Sequence, residues 1–218
     1  MNHPQPPGSP HLAQFRENID YARNLIIGGV ALQGIQNFPG ADYGDLSKAH
    51  PEDLFRAAWT QSVAALDYWL HEEIIDRAVK LANDTGQQRP PGLLRLRMPV
   101  EMVERARSQS FHDVFSEFLR DEYRRTSFLG TEDISSGFKL VTHLKPAQIW
   151  TSIGTSFGMT ANDVKQRHDM VIIKRRNDIA HRADRDALGH RQSISSADAE
   201  NAVNWISNLA EELSALLG

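Results

Sequence analysis

The 218-residue sequence contains no cysteine, which excludes disulfides, thiolate metal sites and cysteine nucleophiles. No apolar run approaches the roughly 18 residues that a membrane-spanning helix needs. The amino-terminal segment has neither the cationic start nor the apolar core of a signal peptide, so we expect a cytoplasmic protein without a membrane partner. The sequence also lacks an HExxH motif and a P-loop, so we expect no metal ion and no cofactor.

Apolar residues recur at helical spacing along most of the chain, and strand-type alternation of Val, Ile and Thr is absent from the sequence. We therefore predict an all-α protein, with residues 1–10 as a flexible tail and residues 11–218 as a single domain. The clearest helix begins at Pro51 and continues to about Leu81, a length of roughly 30 residues that suits the central rod of a bundle. Shorter or flanking helices are predicted over 11–36, 100–107, 111–128, from Thr131, over 146–157, for about 20 residues from Thr160, and from a cap at Ser196.

The sequence also indicates where several apolar, histidine and tryptophan residues lie. The helix predicted from Thr160 runs through five apolar residues, Val164, Met170, Val171, Ile173 and Ile179. His168 and His190 are predicted to be surface histidines. The tryptophans lie on helical stripes and are predicted core residues, at Trp59, Trp69, Trp150 and Trp205.

Charge is distributed unevenly along a chain whose formal net charge is −4. Residues 164–191 contain eight Lys or Arg and four Asp, and so carry +4 against −8 for the rest of the chain. A basic patch on an acidic body is typical of a site for an anionic ligand. The alternative is a solvated helix face whose charges form ion pairs with one another.

This basic segment contains one arrangement that suits acid–base chemistry on a phosphate. In the sequence RRNDIAHR at 175–182, four residues separate Arg176 from His181, and Asn177 follows the arginine. Histidine titrates near neutral pH and can take or give a proton, whereas arginine presents a permanently charged fork to phosphate oxygens. Asn177 and His181 share a helix face, so Asn177 is a candidate to orient the imidazole or contact the phosphate. The alternative is a cationic helix end that complements the helix dipole.

The Arg–His spacing alone is not specific, because it occurs elsewhere in the chain. Four residues also separate Arg107 from His112, but a predicted helix break lies between them. Arg185 and His190 have the same spacing in a predicted loop that contains glycine. Only the pair at 176 and 181 lies at the C-terminal end of a predicted amphipathic helix within a basic segment.

The segment around Arg176 and His181 resembles the signature of the HEPN superfamily, an arginine and a histidine separated by four to six residues near the end of a helix. The segments AAWTQSVAALDYWLHEEI and DAENAVNWISNLAEEL look like the long and closing helices of its RiboL-PSP branch, and the resemblance covers about residues 50–215. It implies a HEPN-type helical bundle built around one long helix, with additional short helices. It also implies a metal-independent endoribonuclease, often part of a toxin–antitoxin or antiviral defence system. A non-catalytic HEPN module that binds RNA, a nucleotide or a partner protein is the alternative.

The resemblance implies RNA as the substrate and a homodimer in which two motifs face one composite cleft, with an antitoxin or another defence-system protein as a further partner. RNA carries its own nucleophile, the 2′-hydroxyl beside each phosphate, so the reaction needs proton transfer and charge stabilisation but no metal ion. The catalytic roles would fall on Arg176, Asn177 and His181.

Three further residues are candidates for binding the substrate. Arg175 and Arg182 flank the motif and suit neighbouring phosphates, although Arg182 could instead pair with Asp178 one helical turn away. Asp67 lies on the long predicted helix four residues before His71. In that position it is expected to pair with Arg176 or to orient the catalytic histidine, as polar residues on a neighbouring helix do in the HEPN family. A buried cap or a solvent-facing carboxylate is the alternative.

Overall fold

The computed structural model of the protein describes residues 9–38 and 44–218. Within these residues the chain is all-α, as predicted, and the only β-type pairing in the described part is an isolated bridge between Arg185 and Arg191. The α-helices are α1 (Pro10–Gln36), α2 (Pro51–Asn83), α3 (Val100–Ser108), α4 (Phe111–Tyr123), α5 (Thr131–Val141), α6 (Pro146–Phe157), α7 (Ala161–Gln166), α8 (Lys174–Arg182) and α9 (Ser196–Leu217).

Helix α2 is the central rod of the bundle, as its predicted length indicates. It spans 33 residues, begins with Pro51 in its first turn, and carries Glu52 and Asp53 where acidic side chains complement the positive end of the helix dipole. Helices α1, α4, α5, α8 and α9 all pack against it. The four tryptophans are buried, which confirms their predicted place in the core.

Predicted helix boundaries differ from the structure by a few residues, and α2 itself ends at Asn83 instead of about Leu81. Helix α1 begins at Pro10, and Ser9 caps it, so the predicted tail is two residues shorter; residues 1–8 of that tail lie outside the described residues. Helix α4 ends at Tyr123 instead of Phe128, and a loop follows it. The last helix begins at Ser196, but its cap is Ser195, whose Oγ accepts from the backbone N–H of the third helical residue at 3.1 Å.

The helix predicted from Thr160 contains a π-helical segment, Arg167–Ile173, between α7 and α8. A π turn takes about one residue more than an α turn, so the faces of the helix change places along this segment. Met170 and Val171, two of the apolar residues of this predicted helix, are 61 % and 52 % exposed. His168 was predicted to lie on the surface, but it is fully buried. The prediction for His168 was wrong because it followed from the usual exposure of histidine and took no account of the π segment.

The buried His168 is a neutral imidazole held by two hydrogen bonds. Its Nδ1 lies 3.2 Å from the indole nitrogen of Trp205, and its Nε2 lies 2.7 Å from the carbonyl oxygen of Leu129. Because an indole N–H can only donate, Nδ1 is the acceptor and Nε2 carries the proton given to the carbonyl. Burial lowers the pKa of His168, against the opposing effects of the Leu129 hydrogen bond and the charge of Asp169.

The free energy of unfolding is expected to fall as the pH decreases below about 6.5. In this range the unfolded chain binds a proton at His168, whereas the folded chain keeps the imidazole neutral. For this one group the slope approaches about 1.4 kcal/mol per pH unit until the lowered pKa of the folded state is reached. Urea unfolding between about pH 5 and 8 measures it. The variant His168→Gln, which does not titrate, should lose this part of the slope, whereas His190→Gln, at a side chain 77 % exposed, should keep it. Equal slopes in both variants would contradict the assignment.

Candidate functional site

The predicted motif lies on α8, a regular helix that continues directly from the π segment and ends at Arg182. Beyond it, Ala183 and Asp184 have φ angles of 50° and 57°, in the left-handed region that turns the chain away from the helix axis. The backbone N–H of Asp184 donates to the carbonyl oxygen of Asp178 at 2.9 Å and closes this end of the helix. His181 therefore lies in a final helical turn that is fixed by its own backbone.

The motif residues occupy two faces of α8. Asn177 and His181 are both exposed and one helical turn apart, so they share a face, as predicted. Arg176 is half-buried and, at about 100° per residue, lies about 140° around the helix from His181. Because α8 stays regular through this segment, one chain alone does not bring the arginine and the histidine to one point. The Arg176 Nη1 group instead donates to Asn177 Oδ1 at 3.0 Å.

Arg176 faces a groove of about 360 Å³ whose other walls belong to α2 and α4. Arg120 and Arg124, from α4 and its C-terminal cap, line it with Arg176 of α8, so two segments of the chain contribute three guanidinium groups to one groove. Glu72 binds Arg120 through two contacts of 2.8 Å and offsets part of this charge.

Asp67 lies in the same groove as Arg176 but binds a different partner. Its Oδ1 accepts the backbone N–H of Phe128 at 2.7 Å, and the same oxygen lies 3.8 Å from His71 Nε2. The imidazole of His71 also contacts the carbonyl oxygen of Thr126 at 2.7 Å. Asp67 and His71 thus hold the loop that follows α4, and the predicted contact between Asp67 and His181 is not made within the chain.

The side chain of Arg175, which was predicted to contact a phosphate, is instead bound by other residues of the chain. Its Nη2 donates to Asp184 Oδ2 and to the carbonyl oxygen of Ser193, each at 2.9 Å, and its Nη1 donates to Gln192 Oε1 at 3.1 Å. The buried Asp184 carboxylate also accepts from Arg56 Nε of α2 at 2.7 Å. This cluster fixes the chain just after His181 against the central helix. Sequence analysis missed Arg56 and Asp184, because 128 positions separate them and no short-range pattern relates them.

The exposed face of α8 is cationic, and its charges are partly paired. Lys174 and Arg182 lie on either side of Asp178, with nitrogen–oxygen distances of 2.6 Å and 3.7 Å. The Lys174 ammonium group holds the pKa of Asp178 below its usual range, with smaller contributions from Arg182 and Arg175. The predicted Arg182–Asp178 pair is thus present, while the Arg182 side chain remains largely exposed beside His181.

Comparisons of the chain with protein-family models, with curated proteins and with solved structures return no match. In the described residues, 9–38 and 44–218, no three His, Asp or Glu side chains are grouped so that they could hold a metal ion. None of the helices in those ranges is both long and apolar enough to cross a bilayer. The chemical character of α8 and its surroundings is therefore the basis for assigning a function.

Proposed function

We propose that this chain is a metal-independent endoribonuclease of the HEPN type. The observation that carries the proposal is the exposed, cationic end of α8, where Asn177 and His181 share one face and Arg182 lies beside them. An imidazole among cations at an accessible helix end suits proton transfer on a bound phosphodiester. The acidic remainder of the chain confines the attraction for a polyanion to this region.

The proposed reaction uses the 2′-hydroxyl of RNA as the nucleophile. His181 takes the proton of this hydroxyl as its oxygen attacks phosphorus, and the bond from phosphorus to the 5′-oxygen breaks. The 5′-oxygen leaves with a proton from a second acid, and the products carry a 2′,3′-cyclic phosphate and a 5′-hydroxyl. Arg176 stabilises the charge that develops on the phosphate oxygens.

The second acid is assigned to His181 of another copy of the chain, since one imidazole cannot act as base and acid in the same step. A homodimer with a two-fold axis near the ends of the two α8 helices would bring both motifs to one cleft. Such a cleft also resolves the separation of about 140° between Arg176 and His181, because each chain then supplies one of the two groups to each phosphate. A toxin–antitoxin or antiviral setting, with a protein partner that restrains the nuclease, is proposed on the resemblance of the motif alone.

A non-catalytic HEPN module is the second candidate function. The observation that favours it is the placement of Arg176 and His181 on different faces of one regular helix. Such a module would bind RNA, a nucleotide or a partner protein through its cationic face and would cleave nothing.

Purified protein is expected to cleave single-stranded RNA in the presence of EDTA and to leave 2′,3′-cyclic or 3′-phosphate ends. The reason is that substrate and protein together supply the nucleophile, the proton-transfer groups and the positive charge. Gel electrophoresis of end-labelled RNA, with phosphatase treatment to identify the ends, measures this result. DNA of the same sequence is the matched control and should remain intact. A strict need for a divalent cation would refute the mechanism, and binding without cleavage would favour the second candidate.

A further inference from the structure

A second groove, of about 420 Å³, borders the face of α8 that carries His181. The π segment, the start of α8 and residues 192–194 form its walls, and we call it the α8 groove. Lys174 and Asp178 of α8 line it, and at 100° per residue these two and His181 lie within about 60° of one another. His181 is about 4.5 Å further along the helix axis than Asp178. A nucleotide whose phosphate contacts His181 could therefore place its base in the α8 groove.

The rim of the α8 groove is apolar where a helix surface is normally polar. The π segment turns Met170 and Val171 outward, and both line the groove as large exposed side chains. Trp59 forms an inner wall, and its indole N–H donates to the carbonyl oxygen of Ile172 at 3.1 Å, which fixes the ring. Flat apolar and aromatic surfaces of this kind are the usual contacts of an unpaired base.

The polar groups of the α8 groove suit a base better than a phosphate. Two carboxylates, Asp178 and Asp198, line it and can accept from an amino group, and they offset the charges of Lys174 and Arg175, which also line the groove. Gln192 also lines the groove, with its amide oxygen occupied by Arg175, so that its NH₂ group remains a donor for a ring nitrogen or carbonyl. Lys174 and Arg175 are already paired, with Asp178 and Asp184, whereas Arg182 remains largely exposed at the end of α8, where the phosphate would be.

We infer that the α8 groove binds one base of the RNA substrate and prefers a base that bears an exocyclic amino group. This inference rests on the proposed function and adds a source of sequence preference to it. One face of the base lies against the exposed Met170 and Val171, and Trp59, which is 6 % exposed, closes the inner end of the groove. The amino group of the base donates to a groove carboxylate, and its phosphate lies at the end of α8.

Cytidine and uridine 3′-monophosphates are the probes that test this inference, because they are alike in size and differ only along one edge of the base, where cytosine has an amino group and an acceptor nitrogen and uracil has a carbonyl group and an N–H. Isothermal titration calorimetry should show that the protein binds the cytidine nucleotide about fivefold more tightly or better, the usual discrimination of a carboxylate for such an amino group. Asp178→Asn should reduce the preference to less than about twofold, because an amide both donates and accepts. Equal binding of the two nucleotides by the unaltered protein would overturn the inference.

A filling substitution tests the location of the bound base. Ser193 lines the α8 groove with an exposed side chain, so Ser193→Trp should occupy the groove and abolish binding of both nucleotides. Leu188→Trp is the matched control, at a side chain 80 % exposed in the same loop, and should bind as the unaltered protein does. Urea unfolding of both variants identifies any loss of folding. Nucleotide binding that persists in folded Ser193→Trp would overturn the inference, as would equal losses in the two variants.

Cleavage of an RNA with a randomised segment separates this inference from the proposed function. Cleavage in EDTA with a preference for amino-bearing bases, lost in Ser193→Trp, supports both. Cleavage whose base preference is the same in all variants overturns the inference that the α8 groove binds a base, but it supports the proposed nuclease function. Preferential binding of the cytidine nucleotide without cleavage of RNA supports base binding in the α8 groove and overturns the proposed nuclease function.

Discussion

His181→Ala is expected to lower the rate of RNA cleavage by about 10²- to 10⁴-fold, the usual contribution of a positioned acid–base group. The side chain is exposed at the end of α8 and holds no other element in place, so the free energy of unfolding should change by less than about 0.5 kcal/mol. The substitution therefore separates chemistry from folding. Initial rates on a labelled RNA oligonucleotide, with urea unfolding of the same samples, measure both quantities.

His190→Ala provides the matched control for this prediction. The sequence spacing from Arg185 to His190 equals that of the motif, and the His190 side chain is exposed. It lies in the loop after α8, where Asp186 accepts its backbone N–H at 2.9 Å, and it faces neither groove beside the motif. The rate should stay within about twofold of the unaltered protein. An inactive His190→Ala together with an active His181→Ala would show that the wrong Arg–His pair had been chosen.

The second large effect is expected for Asp184→Asn, which should lower the free energy of unfolding by about 3–5 kcal/mol. Arg56 and Asp184 are 7 % and 0 % exposed, and Arg175 shares the same carboxylate. Asparagine tolerates the left-handed backbone of this position, so the change isolates the charge. Without the negative charge, the guanidinium groups of Arg56 and Arg175 lose their shared partner, and Arg56 is too deeply buried for water to replace it. Urea unfolding monitored by tryptophan fluorescence measures the loss.

Asp20→Asn is the control for the buried cluster, because it removes the same charge from an exposed ion pair. Asp20 and Arg23 are 2.9 Å apart on the surface of α1, and both side chains are largely solvated. Such pairs contribute about 0–1 kcal/mol, so this variant should be nearly as stable as the unaltered protein. Similar losses in Asp20→Asn and Asp184→Asn would mean that the Arg56–Asp184 contact has no special part in holding the end of α8.

The parts of the fold that the sequence predicted are those fixed by local signals. The start of α2 was predicted at Pro51, where it lies, and its end within two residues. The reason is that proline and acidic residues mark the start and a long apolar stripe follows. The Arg182–Asp178 pair was predicted as an alternative because residues four apart on a helix are neighbours. In both cases the physical cause lies within a few turns of the residues concerned.

The parts that were missed depend on contacts between distant segments. Sequence spacing cannot show that the carboxylate of Asp67 binds the backbone of Phe128, 61 positions away. Nor can it show that Arg56 and Asp184 meet. His168 was placed on the surface because histidine is usually exposed, but two hydrogen bonds satisfy its ring in the core. Candidate residues of the motif were found from their chemistry, while the groups that hold them in position were not.

The π segment is equivalent to the insertion of one residue into a continuous helix, and it changes the phase of everything that follows by about 100°. Which motif residue faces α2 and which faces solvent is therefore decided by the seven residues before α8, none of which belongs to the motif. A deletion there would keep the spacing from Arg176 to His181 and yet rotate both side chains away from their present surroundings. Two chains with identical motifs can thus present different surfaces, and the motif spacing alone does not determine which surface is formed.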